Sequence, residues 1–220
     1  MFGLTYLISG DARQSAPHDK QRERGFSLLE LCLVLAILMI VAAMLFVSGV
    51  TSIRNIRLAQ STTSYANLLQ NARIRAVQDD TYYSVRTDAT TTPPMAFADI
   101  AQTGNYSATA PADPMMDFLQ DVSPMAFATG PGLADLESKF LPAGSAGTVD
   151  TTDPPTFGSR GLPCKPTATA GGTCSSLSAP TSYITFLQNS RSTKWEAVTV
   201  SPAARIRIWS YDGASWSPLN

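Results

Sequence analysis

The stretch RERGFSLLELCLVLAILMIV, residues 22–41, passes from three consecutive charged residues into an almost wholly apolar segment. No charged residue occurs from Leu31 to Ile53, a run of 23 positions. As a helix rising about 1.5 Å per residue, this run covers about 35 Å, enough to cross a hydrocarbon core of about 30 Å. It exceeds the apolar centre of a secretory signal, which is about 7–15 residues. A buried core helix is the alternative, but the run favours a membrane-spanning helix.

The basic residues before the run predict its orientation. Lys20, Arg22 and Arg24 precede the apolar segment closely. Basic residues are enriched on the cytoplasmic side of membrane helices. We therefore expect residues 1–25 in the cytoplasm and everything after Val50 on the other side of a membrane that the chain crosses once.

Glu30 lies at the start of the apolar segment, where an ionisable side chain is costly. The cost is about 2.5–3.5 kcal/mol at the centre of a span on insertion scales, and less near an end. Glu30 can reach the lipid headgroups, because it lies only five residues after Gly25. Alternatively it pairs with a charge on another helix, as ionisable residues within membranes commonly do.

The residues around Glu30 indicate a family. Gly25-Phe26-Ser27-Leu28-Leu29-Glu30, between basic residues and a membrane-length run, resembles the signal of the type IV pilin superfamily. The resemblance implies that prepilin peptidase cuts after Gly25 on the cytoplasmic side and methylates the new terminus, Phe26. It also implies that Glu30 pairs with the terminal amine of a neighbouring subunit while an inner-membrane platform assembles the filament. Opposite charges in a low-dielectric bundle attract strongly, and each is costly alone.

The helix is predicted to continue beyond the membrane run, over residues 51–80. Apolar residues recur there at spacings of three, four or seven, an amphipathic stripe that can pack on a sheet. These residues are Leu58, Tyr65, Leu68, Leu69, Ala72 and Ala76. We expect the helix to stop just before Asp79, because carboxylates are unfavourable at a helix C-terminus. Residues 26–50 are then the transmembrane and assembly half.

Residues 81–220 are predicted to form a small β-rich domain. Alternating β-branched and aromatic residues predict strands at Tyr82–Thr87, Ser182–Leu187, Trp195–Ser201 and Arg205–Tyr211, with a short final segment around Trp216. Residues 93–180 hold 12 of the 15 prolines and predict a long irregular insertion, with short helices at Met115–Val122 and Leu133–Phe140. The predicted fold class is α+β: a long N-terminal helix packed by its C-terminal half on a small antiparallel sheet, as in pilins.

This order of elements resembles the GspH/FimT-type minor pseudopilins, over residues 24–86 and more loosely over 182–213. The resemblance implies a low-abundance subunit of a type II secretion pseudopilus or a type IV pilus. It would be anchored in the bacterial inner membrane with its C-terminal domain in the periplasm. Secretion, pilus formation and DNA uptake all remain open as its pathway.

Some FimT-type members bind DNA through a late Gly-Arg-x-Arg motif. Here Ala204-Arg205-Ile206-Arg207 keeps both arginines, with alanine in place of the glycine. Alternation places Arg205 and Arg207 on one face of a strand and Ile206 and Ile208 on the other. The two arginines either decorate a solvent face or bind DNA. The first is favoured, because two arginines neutralise few phosphates.

Overall charge gives no sign of a nucleic-acid-binding protein. The formal net charge is −1. Removing the leader, with four basic and three acidic residues, leaves 12 basic against 14 acidic residues, or −2. Residues 88–159 contain nine acidic residues against Lys139 alone, a distribution typical of a solvated face.

The remaining reactive residues favour a structural protein over an enzyme. Cys164 and Cys174 flank the Gly-rich KPTATAGGT and can form a disulfide after export, although free thiols are the alternative. Their spacing matches no zinc pattern. The single histidine, His18, lies in the leader, so a histidine-dependent nucleophile is excluded from the processed chain. There is no phosphate loop or dinucleotide motif, and we expect no cofactor or metal.

Overall fold

The computed structural model describes residues 27–125, 129–141, 148–150, 152–168, 172–175 and 181–219. The described residues contain two α-helices and twelve β-strands. Helix α1 runs over Leu28–Gln78 and helix α2 over Leu133–Phe140. Both the end of α1 before Asp79 and the short helix α2 agree with the sequence predictions. The chain divides into two compact units, Met1–Leu45 and Phe46–Asn220.

The first unit contains the apolar beginning of α1. An 18-residue window of this helix has a mean hydropathy of 3.0, and none of the window is buried. The apolar side chains from Leu28 to Met44 are all exposed. A helix that is apolar on all sides is typical of a membrane span. By length and composition, α1 can therefore cross a membrane.

The second unit contains three sheets. In chain order the strands are β1 (Tyr83–Asp88), β2 (Met95–Asp99), β3 (Met115–Asp117), β4 (Val122–Met125), β5 (Thr148–Asp150), β6 (Thr156–Phe157), β7 (Lys165–Pro166), β8 (Cys174–Ser175), β9 (Thr181–Asn189), β10 (Trp195–Val200), β11 (Ile206–Tyr211) and β12 (Trp216–Pro218). The first sheet has the order β3-β2-β1-β6. The second has the order β12-β11-β10-β9-β4, with β5 also paired to β9. Strands β7 and β8 form a separate pair.

The C-terminal half of α1 packs on both larger sheets. All six residues of the predicted apolar stripe are buried. They form one cluster with Val85 and Ala98 of the first sheet and with Leu187 and Val198 of the second. The Tyr65 hydroxyl also hydrogen-bonds the Thr185 hydroxyl of β9 at 3.1 Å. The predicted α+β architecture is confirmed.

Helix α2 covers the opposite face of the second sheet. Leu136 and Phe140 of α2 form a second apolar cluster with Phe186, Trp209 and Trp216. The sheet is thus buried on both faces, by α1 on one side and by α2 on the other. This explains why nearly every residue of β9 is buried.

The predicted helix at Met115–Val122 is wrong. The structure has strand β3 there, paired to β2, followed by a turn in which Asp121 has a φ of 67° and from which β4 begins. The sequence has apolar residues at spacings of three and four, the pattern of an amphipathic helix, at Met115, Phe118 and Val122. Pairing with β2 and burial of Phe118 and Val122 decide the structure instead.

Candidate functional site

The segment predicted to mediate assembly lies at the start of α1. Gly25 and Phe26 lie outside the described residues. The Leu31 amide donates a hydrogen bond to the Ser27 carbonyl oxygen, at 3.1 Å, which closes the first helical turn. Glu30 lies in that turn with its side chain exposed. A carboxylate there interacts favourably with the helix dipole, and its exposure leaves it accessible to a second chain.

The two late arginines lie on one face, at the start of β11. Ile206 and Ile208 point to the core beneath α1. Arg207 lies on the other face, together with the buried Trp209. Arg205 precedes the strand and is exposed, whereas Arg207 is half-buried. Arg207 therefore does not decorate a freely solvated face.

The turn before β11 has the backbone that favours glycine. Ala204 has a φ of 59°, in the left-handed region. Its amide donates to the Ser201 carbonyl oxygen at 2.8 Å, and the Arg205 amide donates to the Ser201 hydroxyl at 3.1 Å. The Arg73 guanidinium donates to the Ala204 carbonyl oxygen at 3.2 Å. These contacts hold an alanine in a conformation that costs about 1–2 kcal/mol for such a residue.

Both arginines line a cavity of about 450 Å³. The last residues of α2 and the residue after them, 138–141, line it as well, together with Thr199 and Ser201. The proximity of Arg207 to this helix end is electrostatically favourable. In the part of the chain that the structure describes, neither arginine forms an ion pair.

Lys139 is the third cation of the cavity, but its charge is compensated. Its amine donates to Asp135 Oδ2 at 3.0 Å and to the Trp216 carbonyl oxygen at 2.7 Å. The Trp216 amide and the Lys139 amine hold the pKa of Asp135 below its ordinary value. The sequence did not indicate Lys139, because nothing in the chain pattern shows that α2 packs beside β11.

The two late cysteines form a disulfide. Cys164 and Cys174 are bonded, with their Cα atoms 5.6 Å apart. The Tyr183 hydroxyl donates a hydrogen bond of 2.6 Å to the Cys164 carbonyl oxygen, and Arg73 donates one of 3.0 Å to the carbonyl oxygen of Gly161. The disulfide segment is thus attached to both the second sheet and α1.

In the described segments, no group of three or more His, Cys, Asp or Glu residues is arranged to hold a metal ion. The buried carboxylate of Glu196 faces α1, and its pKa is raised by burial. Glu196 lines neither the cavity at Arg205 and Arg207, nor a groove beside Asp117 and Leu119, nor a third one beside Arg86.

Comparison with known proteins supports the N-terminal signal. Residues 20–46 match the family model of the prokaryotic N-terminal methylation motif. The match includes Gly25, Phe26 and Glu30 and covers only this segment of the chain. No curated protein and no solved structure gives a significant match. The chain therefore carries a signal of the type IV pilin kind, followed by a helix long enough to anchor it.

Proposed function

We propose that the chain is a low-abundance subunit of a type IV pilus or of a type II secretion pseudopilus, of the GspH/FimT type. The match of residues 20–46 to the methylation motif carries the proposal. The apolar first half of α1 and the packing of its second half on antiparallel sheets support it, because a pilin needs a membrane anchor that becomes the filament core.

Processing would proceed at the start of α1. Prepilin peptidase would hydrolyse the peptide bond after Gly25 and methylate the Phe26 amine. Glu30 would then pair with the terminal amine of a neighbouring subunit. The exposed position of Glu30 supports this role, since a partner can reach it.

The compartment of the folded domain follows from the same proposal. With residues 1–25 on the cytoplasmic side, the domain would fold in the periplasm of a cell with an inner membrane. The Cys164–Cys174 disulfide supports this assignment, because such bonds persist in oxidising compartments.

Mass analysis of the N-terminal peptide from native membranes tests the proposal. We expect a chain that begins at Phe26 with a methylated amine. A Gly25→Val variant should keep its leader, since the cleavage position is changed. Gly3→Val makes the same substitution within the leader and should be processed normally. Incorporation of unprocessed wild-type chain into filaments would contradict the proposal.

DNA binding through Arg205 and Arg207 is the second candidate. It is favoured by one observation: both arginines line one cavity, next to a turn with the left-handed backbone at residue 204. Neighbouring genes give an independent indication, since a secretion ATPase and a secretin favour secretion, whereas competence genes favour DNA uptake.

A further inference from the structure

Four basic side chains surround α1 just beyond its uncharged run. Arg54 is the first charged residue after the run, and Arg57 lies about one turn further. Arg191 and Lys194 come from the turn between β9 and β10. We call these four residues the basic cluster.

Hydrogen bonds hold the β9–β10 turn against the helix. The Arg54 guanidinium donates to the Arg191 carbonyl oxygen at 3.0 Å. The Asn189 side-chain amide donates to the Arg54 carbonyl oxygen at 3.4 Å. Cations that are more than 130 positions apart in the sequence are thereby brought to one place.

The basic cluster carries excess positive charge. Among the described residues, Asp121 forms ion pairs with the cluster, 3.3 Å from Arg191 Nε and 3.9 Å from Arg57 Nη1. Glu196 also interacts electrostatically with Lys194. Four positive charges against these two carboxylates leave two in excess. The Arg191 side chain is 61% exposed, and Lys194 is exposed as well.

Asp117 and Glu196 reduce this charge without cancelling it. Asp117 lines a groove with Ile56 and Leu119, and Glu196 is buried against α1 and interacts with Lys194. Four cations against Asp117, Asp121 and Glu196 still leave one positive charge in excess. The cluster therefore keeps its positive character.

Exposed apolar side chains accompany the cluster. Ile53 and Ile56 are both more than half exposed, and Leu119 is 39% exposed. Basic residues mixed with exposed apolar ones are typical of segments at a membrane surface. The positive-inside rule gives no reason for cations on the far side of the span, so topology does not explain them.

We propose that the basic cluster binds the phosphate groups of anionic phospholipids, in the leaflet from which α1 emerges. As a helix the uncharged run is about 35 Å long, so Arg54 lies just beyond the end of the hydrocarbon core. Guanidinium groups match phosphate oxygens in a bidentate geometry, and basic residues near an anionic membrane surface are attracted to it. The inference rests on the membrane anchorage of α1 and is independent of filament assembly.

Lipid retention by the full-length protein tests this inference. The protein is placed in mixed micelles of equal phosphatidylglycerol and phosphatidylcholine, and native mass spectrometry measures the ratio of the two lipids retained. Arg191→Gln with Lys194→Gln should lower the preference for phosphatidylglycerol by about fivefold per cation, and so by up to about 25-fold. Arg75→Gln with Arg160→Gln removes the same charge elsewhere and should retain the wild-type preference.

Each other outcome counts against the inference. An unchanged preference in the cluster variant overturns it, as does an equal loss in the control. The leader is common to all variants, so its basic residues cancel in the comparison. Should the double variant unfold, Lys194→Gln alone replaces it, with an expected loss of about fivefold.

Two further measurements test whether DNA or an acidic protein, rather than lipid, binds the basic cluster. Duplex DNA retarded through the cluster, without a lipid preference, would assign the surface to nucleic acid. Likewise, cluster-dependent capture of an acidic peptide without a lipid preference would assign it to a protein partner. A cluster-dependent lipid preference in a chain that never enters filaments would uphold this inference while the proposed function fails.

Discussion

Arg73 of α1 and Ala204 of the β10–β11 turn are joined by a hydrogen bond of 3.2 Å, from the guanidinium to the carbonyl oxygen. A second donor of the same guanidinium reaches the Gly161 carbonyl oxygen at 3.0 Å. The helix thus supports a turn whose left-handed alanine is unfavourable on its own. A conformation that glycine adopts freely is maintained here by contacts from another element, and it lies directly before Arg205 and the start of β11 at Ile206.

Replacing Glu30 tests the assembly contact. Glu30→Leu should insert into membranes at least as well as wild type, because a costly charge is removed. Incorporation into filaments should be lost, because the terminal amine of the neighbour has no partner. Fractionation measures insertion, and co-purification with sheared filaments measures incorporation. Glu137→Leu, on α2, is the control. Normal incorporation of Glu30→Leu would favour a side chain that only reaches the headgroups.

Removing the disulfide should destabilise the domain. The bond closes a segment with a sequence separation of 10, for which chain-entropy arguments give about 2–3 kcal/mol. Urea unfolding of Cys164→Ser with Cys174→Ser should show this loss, whereas Cys32→Ser should unfold like wild type. Thiol labelling of denatured wild type should modify one cysteine before reduction and all three after it. Labelling of three before reduction would refute the bond.

Glu196 should make stability depend on pH. Its side chain is only 6% exposed, and among the described residues its Oε2 has no hydrogen-bond partner. Burial raises its pKa above the ordinary 4.5, although a Thr62 hydrogen bond and nearby Lys194 oppose the shift. In the unfolded state Glu196 has its ordinary pKa and loses its proton at a lower pH than in the folded state. The free energy of unfolding therefore falls as pH rises through the folded pKa.

Thermal unfolding of Glu196→Gln from pH 3 to pH 8 tests this expectation. The variant should exceed wild type in stability at neutral pH, because no charge is buried. Its advantage should shrink below the ordinary pKa of glutamate, where both side chains are neutral. Glu137→Gln provides the control for loss of a carboxylate at a partly exposed site. A pH-independent difference would show that Glu196 does not titrate as its burial implies.

The arginine pair should not retard DNA at physiological salt. Two guanidinium groups neutralise few phosphates, and residues 26–220 have a formal net charge of −2, from 12 basic and 14 acidic residues. Electrophoretic assays of the full-length protein in micelles should therefore show no shift, with or without Arg205→Gln and Arg207→Gln. If retardation does occur and depends on this pair, its logarithmic salt slope should fall by roughly two in the double variant. Arg75→Gln with Arg160→Gln is the matched control.

The sequence predicted those elements whose hydrophobic pattern repeats over many residues. The stripe from Leu58 to Ala76 spans several helical turns, so its period is unambiguous, and the late strands alternate clearly. Strands β3 and β4 are only three and four residues long, too short for a period to be read. Their pairing partners lie far away in the chain, which no local pattern reveals.

The candidate sites divide in the same way. Glu30 belongs to a contiguous motif and can be recognised from neighbouring residues. Lys139 and Arg207 line one cavity only because α2 packs beside β11, and Arg54 contacts Arg191 only through the β9–β10 turn. Such groups depend on tertiary packing, and charge alone does not mark them in the sequence.

The proline-rich middle of the chain covers one edge of strand β9. One edge of β9 bonds to β10, while the other bonds to β5 over residues 181–183 and to β4 over residues 186–189. Both β4 and β5 come from residues 93–180, a region that looks expendable in the sequence. A shortened protein without them would present a nine-residue strand with open backbone donors and acceptors. Unpaired strand edges recruit other chains, so we expect loss of this region to promote aggregation.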